Sequence, residues 1–122
     1  MVRGNVNRKY EAVTRLRLRG STEVHVEVDA VVDTGFSNWL TLPVSIVNQL
    51  GLVTYSQSSF TLADHSEILV DIYSVDVEWD GEFQNVIVSA LGEECLIGMQ
   101  FLEGYELRIQ VTPGGLVTAE KI

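Results

Sequence analysis

Hydrophobic and polar residues alternate along most of the chain, and a period of two is the mark of β-strands with one face buried. Over residues 23–30, Val24, Val26, Val28 and Ala30 share one face, while Glu23, His25, Glu27 and Asp29 share the other. The pattern then passes into Ala30-Val31-Val32, apolar on both faces, so this strand ends inside a core. Asp33-Thr34-Gly35 follows at once. Residues 60–63 and 67–73 read as two strands around the polar turn Asp64-His65-Ser66. The second runs on to Trp79, but its apolar set changes from Ile68, Val70 and Ile72 to Tyr73, Val75, Val77 and Trp79. A strand that exchanges its buried face is bent or passes from one sheet to another.

Turn signals divide the rest. Asp80-Gly81 predicts a tight hairpin into residues 83–91, Gly92-Glu93-Glu94 a turn, and residues 95–99 an apolar strand containing Gly98. Residues 105–112 alternate again, and Pro113-Gly114-Gly115 turns into a last strand over 116–119. Helical spacing occurs over residues 41–51, with Pro43 in the first turn, Val44, Val47 and Leu50 on one side, and Gly51 as the cap. A second helical turn is predicted over 99–103, ending at Gly104. Short strands, frequent turns and one or two short helices define an all-β barrel or sandwich.

With 122 residues, 46% of them hydrophobic, the chain is expected to form one domain over 1–122. No apolar run approaches the roughly 20 residues of a membrane helix, and residues 1–20 lack the apolar centre of a secretory signal. The single cysteine, Cys95, has no internal disulfide partner, which fits a reducing, cytoplasmic setting. The net charge of −9 is unevenly spread. Residues 1–19 carry six basic residues against Glu11 alone, whereas the remainder carries only Arg108 and Lys121 against 16 acids. So acidic a body repels phosphate backbones, which argues against nucleic acid as a partner. Residues 1–20 are read as a basic lead-in whose charges lie against that body.

Candidate chemistry centres on Asp33. A carboxylate directly after buried apolar residues is costly unless its charge is partnered or shared with a proton. Gly35 permits a tight turn and close backbone approach, and Thr34 offers a hydroxyl. An Asp-Ser/Thr-Gly triplet arises by chance in roughly one chain in twenty of this length, so its position at the end of a buried strand counts for more than its letters.

From about Ser21 to Val117 the sequence resembles the retropepsin-like aspartic proteases, in particular their small single-domain bacterial and archaeal relatives. Val31-Val32-Asp33-Thr34-Gly35-Phe36-Ser37 is similar to their active-site loop. Leu62-Ala63-Asp64-His65-Ser66 looks like their flap tip, and Leu96-Ile97-Gly98-Met99-Gln100-Phe101-Leu102 like the segment entering their C-terminal helix. The resemblance implies a retropepsin-like barrel and an aspartic endopeptidase without cofactor or metal. With one triplet per chain, it further implies a homodimer that pairs two Asp33 carboxylates over a peptide or protein substrate. Thr34, Gly35 and Ser37 would support the loop, Ala63, Asp64, His65 and Ser66 would form the flap, and Gly98 would pack near the loop. His65 departs from the glycine usual at the flap tip; it reads as part of a polar hairpin turn, although its pKa could instead couple flap closure to pH. The alternative is a catalytically silent module of the same fold that binds peptides or dimerises. His25 among Glu23, Glu27 and Asp29 reads as a solvated face and not a metal site, and Cys95 as a core residue.

Overall fold

The computed structural model describes all 122 residues. It contains β1 (Val2–Val6), β2 (Ala12–Arg19), β3 (His25–Val32), β4 (Leu40–Leu42), helix α1 (Val44–Leu50), β5 (Thr54–Thr61), β6 (Glu67–Trp79), β7 (Glu82–Ala90), β8 (Cys95–Ile97), β9 (Tyr105–Ile109) and β10 (Leu116–Lys121). Six of these close a barrel in the order β2-β3-β8-β4-β7-β6, the ring being sealed by pairing of β6 with β2. Leu16, Leu18, Ala30, Leu40, Val77, Val88 and Ile97 fill its interior together with Trp79, each at most 3% exposed. Closure gives each of these strands a neighbour on both sides over at least part of its length. Outside the ring, β1, β10 and β9 extend the sheet from β2, and β5 pairs with the first half of β6.

The long strand β6 explains the exchanged apolar face. Its buried residues are Val70 and Ile72, then Val75, Val77 and Trp79. The first half pairs with β5 in a hairpin that stands away from the barrel, while the second half pairs with β7 and β2. A bulge in β5 between Thr54 and Ser56 lies opposite this changeover. At the next turn, Asp80 (φ 52°) and Gly81 (φ 85°) both adopt positive φ, the geometry of a two-residue hairpin loop.

Three expectations from the sequence change. Residues 1–20, set apart by their charge, are β1 and β2, and β2 is a stave of the barrel. Its arginines lie on the outer face over acidic neighbours: Arg15 meets Glu27 and Asp29, Arg17 meets Glu27 and Glu78, and Arg19 meets Asp76 at 3.1 Å. The second helical turn is absent. Residues 99–104 form consecutive turns, with Leu102 N–H donating to Met99 O and Glu103 N–H to Gln100 O. So short a stretch does not repay the cost of helix nucleation. The helix that does form begins one residue after Pro43, which stands at its N-cap, and ends in Gly51 (φ 65°). Thr41 and Leu42, which the helical spacing included, belong instead to β4. No helix is long and apolar enough to cross a membrane.

Candidate active site

Strands β3 and β4 are consecutive in the chain but are not neighbours in the sheet. Strand β8 lies between them, parallel to β3 and antiparallel to β4. The loop over residues 33–39 must therefore pass across the end of β8, where Gly98 leaves it. Backbone hydrogen bonds fasten the crossing: Asp33 N–H donates to Ile97 O, Gly98 N–H to Trp39 O, Met99 N–H to Phe36 O and Gln100 N–H to Asn38 O. Gly98 is buried under this loop, and a β-carbon there would stand 2.0 Å from Asn38 O and 2.8 Å from the Phe36 ring.

Asp33 is half-buried at the head of the loop. Its Oδ1 accepts the Gly35 N–H at 3.0 Å, and its carbonyl accepts the Phe36 N–H at 3.1 Å. This is an Asx turn inside a β-turn, and it orients the carboxylate through one of its two oxygens. Oδ2 makes no hydrogen bond within the chain, and neither do the hydroxyls of the exposed Thr34 and Ser37. Gly35 makes its tight turn without entering the positive-φ region. What it supplies is room, since a β-carbon there would come to 3.3 Å from Asp33 Oδ1.

Ala63, Asp64, His65 and Ser66 form the exposed tip of the β5–β6 hairpin. Leu62 N–H donates to Ser66 O and His65 N–H to Leu62 O, with His65 at φ 67°. A three-residue loop closed by a left-handed residue normally places glycine there. The Ser66 hydroxyl and N–H both donate to Asp64 Oδ1, and these bonds hold the Asp64 carboxyl below its ordinary range. No hydrogen bond links this tip to the Asp33 loop.

One feature of the surroundings escaped the reading of the sequence. Val13, Val31 and Leu96 are register partners on β2, β3 and β8 and form an outward apolar row. Val31 and Leu96 of this row line a cavity of about 470 Å³ that reaches Asp33 and Thr34 and is walled further by Tyr10, Ile109 and Val111. Glu11 and Glu94 are its only other charged residues. The apolar character of Val31 was visible in the sequence, but its neighbours arrive from four other segments. Elsewhere, Cys95 faces the core, where burial pushes its thiol up to about 12. His25 is exposed and lies edge-on to Phe83.

No protein-family model and no curated protein matches the chain. Solved structures do. A retropepsin-like aspartic protease from Rickettsia conorii superposes over 99% of this chain and 90% of its own, with a TM-score of 0.65 and 19% sequence identity. EIAV protease, in complex with an inhibitor, covers 80% of this chain and 89% of its own, with a TM-score of 0.56 and 13% identity. The chain has the retropepsin-like fold.

Proposed function

We propose that the chain is an aspartic endopeptidase that acts as a homodimer, with Asp33 of each subunit forming the catalytic pair. The observation that carries this reading is the state of Asp33: a carboxylate held by its own loop through Oδ1, with Oδ2 free, at the head of a crossing supported by Gly98. The likeness in fold to the aspartic proteases named above supports the general kind of chemistry.

One carboxylate cannot act at once as base and as acid, so a single chain holds half of the machinery. Two carboxylates brought together share one proton. The ionised one removes a proton from water as its oxygen bonds to the peptide carbonyl carbon. The protonated one gives its proton to the carbonyl oxygen. Collapse of the resulting diol breaks the C–N bond, and the amine leaves with a proton, so the products are one carboxyl and one amino terminus. Thr34 would hydrogen-bond across the two loops, with Gly35 and Ser37 shaping them, and Ala63, Asp64, His65 and Ser66 would close over an extended substrate. The reaction uses water and side chains alone.

The test is sedimentation velocity over a concentration series, with cleavage of a peptide library by the same samples and by Asp33→Asn. A dimer whose cleavage falls by at least about 10²-fold in Asp33→Asn supports the reading. A stable dimer with no cleavage leaves a silent peptide-binding module, and full activity in a dilute monomer overturns the paired site.

A further inference from the structure

The cavity beside Asp33 has a chemical character of its own. Val31 and Leu96 line it, and Val13 extends their outward apolar row into the neighbouring cavity; two residues further along, the same barrel face carries the Arg15–Asp29 pair. By strand alternation Asp33 lies on the same side as Val31, two residues beyond it. A second cavity of about 470 Å³ adjoins the first, sharing Glu11, Val31 and Glu94 and adding Glu93 and Asp29. No lysine or arginine lines either cavity. Asp29 is paired with Arg15, but Glu11, Glu93 and Glu94 enter no ion pair. Glu94 is also fixed in place. The buried Thr41 hydroxyl donates to its carbonyl at 3.1 Å and accepts the Leu96 N–H at 3.0 Å, which ties the turn to β4 and β8. Glu11 is held from the other side by Asn7, whose side-chain amide donates to its carboxylate while Asn7 Oδ1 accepts its N–H.

An apolar trough that opens at the reacting carboxylate and ends in unpaired acids is complementary to one kind of side chain. It must have a long alkyl stem to lie on valine and leucine and a cationic head to reach the glutamates. An acidic side chain would be repelled, and a short apolar one would leave the carboxylates unanswered. We propose that this trough is a specificity subsite for a basic residue, lysine or arginine, flanking the scissile bond, and that Glu11 and Glu94 are the residues that select it. The proposal rests on the peptidase reading above.

Two fluorogenic peptides, identical except for lysine or norleucine at the positions flanking the scissile bond, test it. Norleucine keeps the stem and removes the charge. In the unsubstituted protein, kcat/KM for the lysine peptide should exceed that for norleucine by about tenfold, equivalent to roughly 1.4 kcal/mol. In Glu11→Gln/Glu94→Gln that ratio should collapse toward one. Binding of both peptides to Asp33→Asn, followed by fluorescence anisotropy, should show the same lysine preference without any turnover. If Asp33-dependent cleavage favours norleucine, or if the double variant keeps the wild-type ratio, the subsite is wrong while the peptidase stands. If no peptide is cut but Asp33→Asn still prefers lysine, the peptidase reading fails and the subsite survives. If the double variant alters only self-association, the acids face a second copy of the chain and the proposal is overturned.

Discussion

A β-carbon on Gly98 would stand 2.0 Å from the carbonyl oxygen of Asn38, so the strand carrying Gly98 can run beneath the Asp33 loop only because it has no side chain there. Both atoms facing that β-carbon most closely are backbone, and they are fastened by the Gly98–Trp39 and Gln100–Asn38 hydrogen bonds, so neither can move aside cheaply. Gly98→Ala should therefore destabilise the protein by about 2 kcal/mol or more, seen as a drop in Tm of several degrees. A Tm within one degree of wild type would mean that the crossing is looser than this contact implies.

The hairpin tip carries a local strain of a different kind. His65 sits at φ 67°, where a branched side chain is disfavoured by about 1–3 kcal/mol. His65→Gly should keep or raise Tm, the relief of strain being partly offset by the entropy of glycine in the unfolded chain. His65→Val should lower Tm. Equal losses in both variants would show that the imidazole itself supports the hairpin.

Asp76 helps to seal the barrel. It stands opposite Arg19 where β6 pairs with β2, and its carboxyl is held below its ordinary range first by the Asn85 amide and then by Arg19. A depressed carboxyl contributes stability above its unfolded value of about 3.8, and that contribution is lost as pH falls through the lower folded value. Asp76→Asn should therefore melt below wild type at pH 7, with the two curves converging toward pH 2. A gap independent of pH would assign the effect to packing rather than charge.

Cys95 works in the opposite direction. Burial raises its thiol from 9.0 to about 12, so the folded state holds its proton after the unfolded chain has released one. Stability from this group is complete below pH 9 and falls between pH 9 and 12, by at most about 1.4 kcal/mol per pH unit. Cys95→Ala should flatten that alkaline decline, and native Cys95 should resist iodoacetamide at pH 8. Rapid native alkylation would contradict the burial.

Most staves of the barrel were legible because strand alternation is local: each of residues 24, 26, 28 and 30 declares its face without reference to anything distant. The same signal was present in β2, where Ala12, Thr14, Leu16 and Leu18 are buried and Arg15 and Arg17 exposed. There the concentration of arginines obscured it, because charge on the outer face of a barrel strand has the same composition as a basic extension. Strand β1 alternates as well, Val2, Gly4 and Val6 against Arg3 and Asn5, but the signal is short and Gly4 has no side chain to mark its face.

Asp33, the Asp64–Ser66 tip and Gly98 were each recognisable from short motifs. Local sequence could say that a carboxylate follows a buried strand and that glycine recurs after an apolar pair, because those are properties of a few adjacent residues. It could not say that Gly98 passes under Asn38, that Arg19 closes the ring on Asp76, or that Glu11 and Glu94 end in one trough beside Asp33. Those relationships exist only once β8 has inserted between β3 and β4, and the insertion is decided by burying side chains from all six staves together. The period, the turns and the Asp-Thr-Gly triplet are properties of adjacent residues; the closed barrel decides which distant residues that triplet meets.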